Sequence, residues 1–446
     1  METSQEKGIG REFHFGSLLR FAFPTILMMV CTSLYVIVDG IFVSRFVGSD
    51  ALASINIVAP AFSLFMAIGL MLSSGGSAVI AKKMGVGDNG GARRDFTLII
   101  LASLIVAVAT LLLGLLFYEP VLRALGASDR LYLNCRTYFL VILGFVPTYI
   151  LQVMFQTLFV TNGTPTLGMV LTVAAGVVNM VFDYIFIVPL EMGIAGAALA
   201  TGMGTLVPAV YGVVYFFRKK GALWFCRPKL NWQVLGHSCL NGSSEMVSNL
   251  AYGLITFLYN ISMMRLIGED GVAAITIIQY AEFLMSSLFF GFAMGVAPVF
   301  SYNYGSQNRV QMKRIFKICI LTIAVASLTV FAIAQLFGST LVRIFAPEGT
   351  YVYELAKEGF HIFSFCFLLT GANIFASALF TALSNGKLSA TISFLRTFIF
   401  VSGAILILPN FIGVLGIWLA VPGAEVLAFL VSLFLVLRHK KDYGYL

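Results

Sequence analysis

Charge is scarce in this chain. Of its 446 residues, 11% are Asp, Glu, Lys or Arg and 59% are hydrophobic, with a mean hydropathy of +0.95. A soluble fold needs far more polar surface, which excludes that class. Histidine occurs four times and cysteine six times. Cys31, Cys135, Cys226, Cys239, Cys319 and Cys366 stand apart, with no CxxC spacing or metal-type grouping, and read as small packing residues. No cofactor is expected. The period-two alternation of a membrane barrel is missing, and the apolar runs are too long for barrel strands. The chain has no HExxH, no paired Asp in a metal motif and no Ser/His pair, so a membrane enzyme such as a lipid transferase is not expected. A cleavable leader is also missing. Met1 to Phe15 is polar and mixed in charge, and the apolar run after it is too long and lacks a small-residue cleavage site, so the first helix is expected to stay as a span.

What remains is a series of long apolar runs. A spanning helix uses roughly 20 apolar residues, and twelve are placed at 17–44, 53–81, 96–118, 134–160, 166–188, 194–217, 238–264, 272–301, 315–337, 356–382, 388–408 and 414–437. The expected class is an all-α polytopic membrane protein. The net charge of +8 is explained by the positive-inside rule rather than by a nucleic-acid partner. Lys82, Lys83, Arg93 and Arg94, the run Arg218–Lys219–Lys220, then Arg309, Lys313, Arg314 and Lys317, and the tail Arg438, Lys440 and Lys441 fall on the side of both termini. That side is read as cytoplasmic, in a multi-pass protein of the cell membrane. The basic segment RKKGALWFCRPKLNWQ, starting at Arg218, divides the chain. The expected organisation is a first lobe at 1–217, a cytoplasmic linker at 218–236 and a second lobe with a short basic tail at 237–446.

A shift of 220 residues supports that division. Val47 to Val58 falls on Ile267 to Ile278, with Gly, Asp, Ala, Ile and Ile repeated in place. The same shift pairs Gly75 with Gly295, Gly85 with Gly305, Arg94 with Arg314, Arg123 with Arg343, Pro189 with Pro409, and Gly193 with Gly413. A constant offset across most of a half-chain marks a duplication. Six spans per copy make the repeats parallel, around a central cavity where a transporter binds its cargo.

Few ionisable groups fall within the spans. Asp39 lies in YVIVDGIFVSRF, and a charge at that depth normally faces protein or a wet cavity. Asn179 and Asp183 share a helix face, with Thr201 and Tyr138 expected nearby. Carboxylate, amide and hydroxyl oxygens form a hard-donor set, suited to H+ or Na+ and poor for zinc or copper. In the second half, Glu245 and Asn249 share a face, and Glu282 precedes Ser286–Ser287. With Gln152 and Gln156 they form a candidate surface for lipophilic cations in a cavity rich in aromatic rings. Arg396 reads as the partner of a carboxylate such as Glu425, or of a carbonyl.

Three stretches, VDGIFVSRFVGSDALAS around Asp39, Gly85 to Arg94, and NMVFDYIFI around Asn179 and Asp183, together with the lobe repeat, resemble the multidrug and toxic compound extrusion family of efflux transporters over about residues 15–437. The resemblance implies twelve helices in two lobes, alternating access, and export of cationic drugs against H+ or Na+. It implies a first-lobe ion site, possible for Na+, at Asp39, Asn179, Asp183 and Thr201 with Tyr138 close by. Some members use an acidic residue on helix 10 where this chain has Asn373. The partners expected are small lipophilic cations and the bilayer, for a chain acting as a monomer. A lipid-linked oligosaccharide flippase is the rival reading, but its phosphates call for several deep basic residues.

Overall fold

The computed structural model describes residues 8–219 and 221–446, so Lys220 and the first seven residues of the polar N-terminus lie outside it. The chain is helical throughout. The first lobe is α1 (Phe15–Phe46), α2 (Ser49–Val86), α3 (Asn89–Ala124), α4 (Tyr132–Gly144), α5 (Val146–Thr161), α6 (Pro165–Ile187) and α7 (Gly193–Phe217). The second lobe is α8 (Trp232–Leu266), α9 (Glu269–Gly305), α10 (Arg309–Phe345), α11 (Tyr351–Phe363), α12 (Phe367–Ala382), α13 (Gly386–Phe394), α14 (Ser402–Ile407), α15 (Pro409–Ile412) and α16 (Val414–Tyr443). A π-helical turn, Leu395–Val401, joins α13 to α14, and a 3-10 turn, Ser364–Cys366, joins α11 to α12.

Among the described residues, ten units are long and apolar enough to cross a bilayer, and α4 with α5, bent by 53°, makes an eleventh. The bend falls where Phe145 leaves helical geometry and Pro147 removes a backbone donor. The twelfth unit, α8, is 35 residues long and too polar to pass on composition. It begins at Trp232, earlier than expected, which moves Glu245 from the helix start to its interior. Its polarity fits its place, because α8 packs along α2 between the lobes rather than facing lipid all round. Lipid meets rows such as Leu112 and Leu116 on α3 and Leu328 and Leu336 on α10, all more than 60% exposed.

The repeat extends to local chemistry. Asp88 caps α3 by accepting from Gly91 N at 2.7 Å, and Asn308 caps α10 by accepting from Gln311 N at 3.0 Å. The sharp turns entering α2 and α9 need positive φ, supplied by Gly48 at +111° and Gly268 at +98°.

The lobes join as crossed pairs, α1 along α9, α2 along α8, and α2 across α9. Gly85 lies against the Tyr302 carbonyl and Gly305 against the Lys82 carbonyl, while Gly75 meets Ser238 and Gly242, and Gly295 meets Ala22 and Thr25. A Cβ at Gly85 or Gly305 would enter the opposing backbone, so absence of a side chain permits this approach. These crossings all sit toward the end that carries the termini, the near end. One continuous apolar core spans both lobes there, from Phe13 and Leu18 to Phe300 and Tyr445, and the far half of the second lobe has a separate core.

Two segments tie the near end further. Residues 8–14 form a strap beneath the lobes. Ile9 and Phe13 are buried, Gly8 touches Gly163 and Gly10 touches Tyr302, Gln311 donates to the Phe13 carbonyl at 3.0 Å, and Glu12 pairs with Arg314 at 3.8 Å. The connection between lobes is pinned to the first: Asn162 accepts from the Ala222 and Leu223 amides at 3.0 and 2.9 Å, and the Arg93 guanidinium stacks over Trp224.

Candidate functional site

The first-lobe site is built by the packing of α1 on α6. Tyr35 lies against Gly176, so one turn onward Asp39 comes level with Asn179 and Asp183, and the two carboxyls are close neighbours. Tyr138 on α4 lies within charge-interaction range of both acids, and Tyr35 within range of Asp39. Gly204 of α7 abuts Asn179, and Thr201, one turn away on the same face, follows to that level. Its hydroxyl donates to the Ala197 carbonyl at 3.1 Å, leaving lone pairs to accept or ligate.

Polar satisfaction is incomplete at this cluster. Asn179 and Asp183 are each 2% exposed, yet both Asn179 amide atoms and one oxygen each of Asp39 and Asp183 are buried without a hydrogen-bond partner. Such atoms cost about 1–3 kcal/mol each and are rare in native interiors. Two neighbouring carboxylates repel each other when both are ionised, and a bound cation relieves that repulsion. The donor set is all oxygen and amide, which fits a proton or Na+.

The second lobe gathers a different group. Arg396, on the π turn, donates from Nε and Nη2 to Oε1 of Glu425 on α16 at 2.8 and 2.6 Å. Asn373 on α12 donates to the other carboxylate oxygen at 2.6 Å and to the Glu425 carbonyl at 3.0 Å. Glu245 and Glu282, both half-buried, lie within charge-interaction range of Arg396. Asn249 donates to the Glu245 carbonyl at 3.4 Å. Tyr252 and Tyr259 stand near Glu282. These tyrosines, and Tyr35 in the first lobe, are site neighbours that sequence reasoning missed, because tyrosine is common here and only its distance from an acid marks it.

Gln152 and Gln156 do not join that group. They lie on α5 of the first lobe, where Gln156 donates to Thr172 of α6 at 2.9 Å and acts as an interhelical strut. Gln152 is 5% exposed, with its side-chain oxygen unpartnered.

The family model described as MatE matches twice, over residues 24–185 and 246–406, one copy in each lobe. The chain belongs to the MatE family. Among curated MatE relatives, the multidrug export protein MepA of Staphylococcus saprophyticus is 24% identical over 95% of this chain and 93% of its own. MepA of Staphylococcus aureus is 21% identical with the same coverage. A solved multidrug-resistance transporter of the family, described as outward-facing, superposes with a TM-score of 0.92 at 22% identity, covering 100% of this chain and 99% of that one. At that identity the likeness fixes the fold. The expected MatE fold of two six-span lobes therefore stands, in a multi-pass membrane protein.

Proposed function

We propose that this MatE protein exports lipophilic organic cations in exchange for H+ or Na+, by alternating access between its lobes. The observation that carries the reading is the paired Asp39 and Asp183 carboxyls, each with a buried oxygen that has no hydrogen-bond partner. The multidrug export named for its relatives agrees with it. The ion is a second substrate, held by Asp39, Asp183, Asn179 and Thr201, with Tyr138 able to donate to an ionised oxygen. Taking it up removes the repulsion between the acids and draws α1 toward α6. Cargo and ion then each weaken the other's binding by the same factor.

In this reading, residues 1–217 and 237–446 move as lobes, the basic 218–236 segment stays on the cytoplasmic side with both termini, and the crevice opens outward. Glu245, Glu282 and Asn249 form the cargo seat. Arg396 is committed to Glu425, which leaves no free deep cation among the described residues to receive a phosphate and weighs against a lipid-linked oligosaccharide flippase.

The test is uptake of ethidium into inverted proteoliposomes under separately imposed pH and sodium gradients. One gradient drives uptake in the native protein, and Asp39→Asn or Asp183→Asn abolishes it while the protein stays folded. Uptake by both variants at the native rate removes the first-lobe site from the mechanism.

A further inference from the structure

The connection between the lobes changes character part-way along. Its first half is fastened to the first lobe. Asn162 holds the Ala222 and Leu223 amides, Arg93 donates to the Ala222 carbonyl at 2.9 Å, and the Cys226 amide donates to Thr97 at 3.1 Å. Among the described residues, 227–230 make no hydrogen bond to either lobe, and the chain is next held where Asn231 caps α8.

The depth of this free stretch follows from α7. Its 25 residues measure about 37 Å against a hydrocarbon core of about 30 Å, so Phe217 ends the helix at the boundary of the core. Phe225 packs on Phe217 with ring centroids 4.8 Å apart, which keeps the connection at that level, among the lipid headgroups. The side chains that follow are unlike those of a loop in water. Leu230 is 63% exposed and Trp232 74%, with Arg227 and Lys229 exposed beside them. Residues 218–233 include no Asp or Glu. Exposed Trp and Leu interleaved with unopposed cations match the headgroup layer, where the indole and the leucine leave water while the cations meet phosphates.

We propose that residues 227–232 form a binding surface for anionic phospholipid in the leaflet at the near end. Leu230 and Trp232 enter the headgroup layer, Arg227 and Lys229 engage lipid phosphates, and Arg218 and Lys219 at the end of α7 extend the positive surface. The same stretch is the free link from the first lobe to α8, so bound lipid holds that link against the leaflet. The inference stands whatever cargo the protein carries.

The test uses the purified full chain in nanodiscs of phosphatidylcholine. A minority of the lipid is brominated high on its acyl chains, either as phosphatidylglycerol or as phosphatidylcholine, and bromine quenches a tryptophan that lies against it. The chain has three tryptophans, and the emission lost in Trp232→Phe is the share of Trp232. That share is expected to be quenched by both lipids, and at least about twofold more by phosphatidylglycerol, since one cation at an anionic surface is worth about fivefold in local occupancy. The double variant Arg227→Gln with Lys229→Gln should bring the ratio down to about one. Both positions are exposed, so its melting temperature should stay native. Arg438→Gln with Lys440→Gln, on the basic tail, should leave the ratio as it is. Absence of Trp232 quenching, or equal quenching by both lipids in the native protein, overturns the proposal. An equal fall of the ratio in the tail variant also overturns it, because the preference would then belong to near-end charge in general.

Discussion

A carboxylate held mid-span costs about 2.5–3.5 kcal/mol on insertion scales, and the two lobes offset that cost differently. The second lobe neutralises Glu425 with its own arginine and an amide. The first leaves Asp39 and Asp183 close together, each with a buried oxygen that has no hydrogen-bond partner. Asn373→Leu should therefore destabilise the protein by about 1–3 kcal/mol, the cost of an unmet buried acceptor, seen as a lower melting temperature in detergent with ion-driven transport retained. Glu245→Gln should weaken cationic cargo more than neutral cargo in a binding assay, and equal losses would make its role one of packing. Asp39, Asn179 and Asp183 were legible in the sequence because polar groups stand out against an apolar run, and the four-residue spacing of Asn179 and Asp183 places them on one face. Asn373 as the second holder of Glu425 was not, since the two are far apart in the chain and no periodicity links them. The interhelical bond of Gln156 was not legible for a related reason: nothing in the sequence places Thr172 beside its amide.

Among the elements, the 220-residue repeat made most of the helices readable, and the paired caps Asp88 and Asn308 follow the same shift. Two features escaped it. The 53° break between α4 and α5 falls at one of several prolines in the spans, and only surrounding packing decides which proline bends its helix. The α8 start escaped because Trp232 to His237 is polar enough to resemble loop, while Asn231 caps it with bonds from Gln233 N and Val234 N at 3.0 and 3.3 Å. The glycine crossings give a test at this scale. Gly305→Val places a branched side chain into the Lys82 backbone, and the near end should no longer close. Transport is expected to fall at least tenfold, with the lobes further apart at that end by paired spin-label distances. Native distances would mean the crossing yields by a small helix shift.

For the whole molecule, one apolar core bridges the two lobes at the near end, while the far end of the second lobe has a core of its own. The strap of residues 8–14 belongs to that closure and was not legible in the sequence: Ile9 and Phe13 lie in a polar stretch, and the strap packs on Tyr302, Gln311 and Gly163 from distant parts of the chain. Phe13→Ala should loosen the closure by about 3–5 kcal/mol if its cavity stays unfilled. Faster hydrogen exchange at the near end of α9, around Val299 to Gly305, is the expected readout, and unchanged exchange would make the strap a passenger. Holding two long rods together only at one end also sets a mechanical ratio. From Gly305 back to Glu269 the rod is about 54 Å long at 1.5 Å per residue, so a swing of about 10° carries its tip about 9 Å. Like the short handles of a pair of shears, a sub-ångström slip between Gly85 and Gly305 is magnified into a displacement of several ångströms at the distant tips.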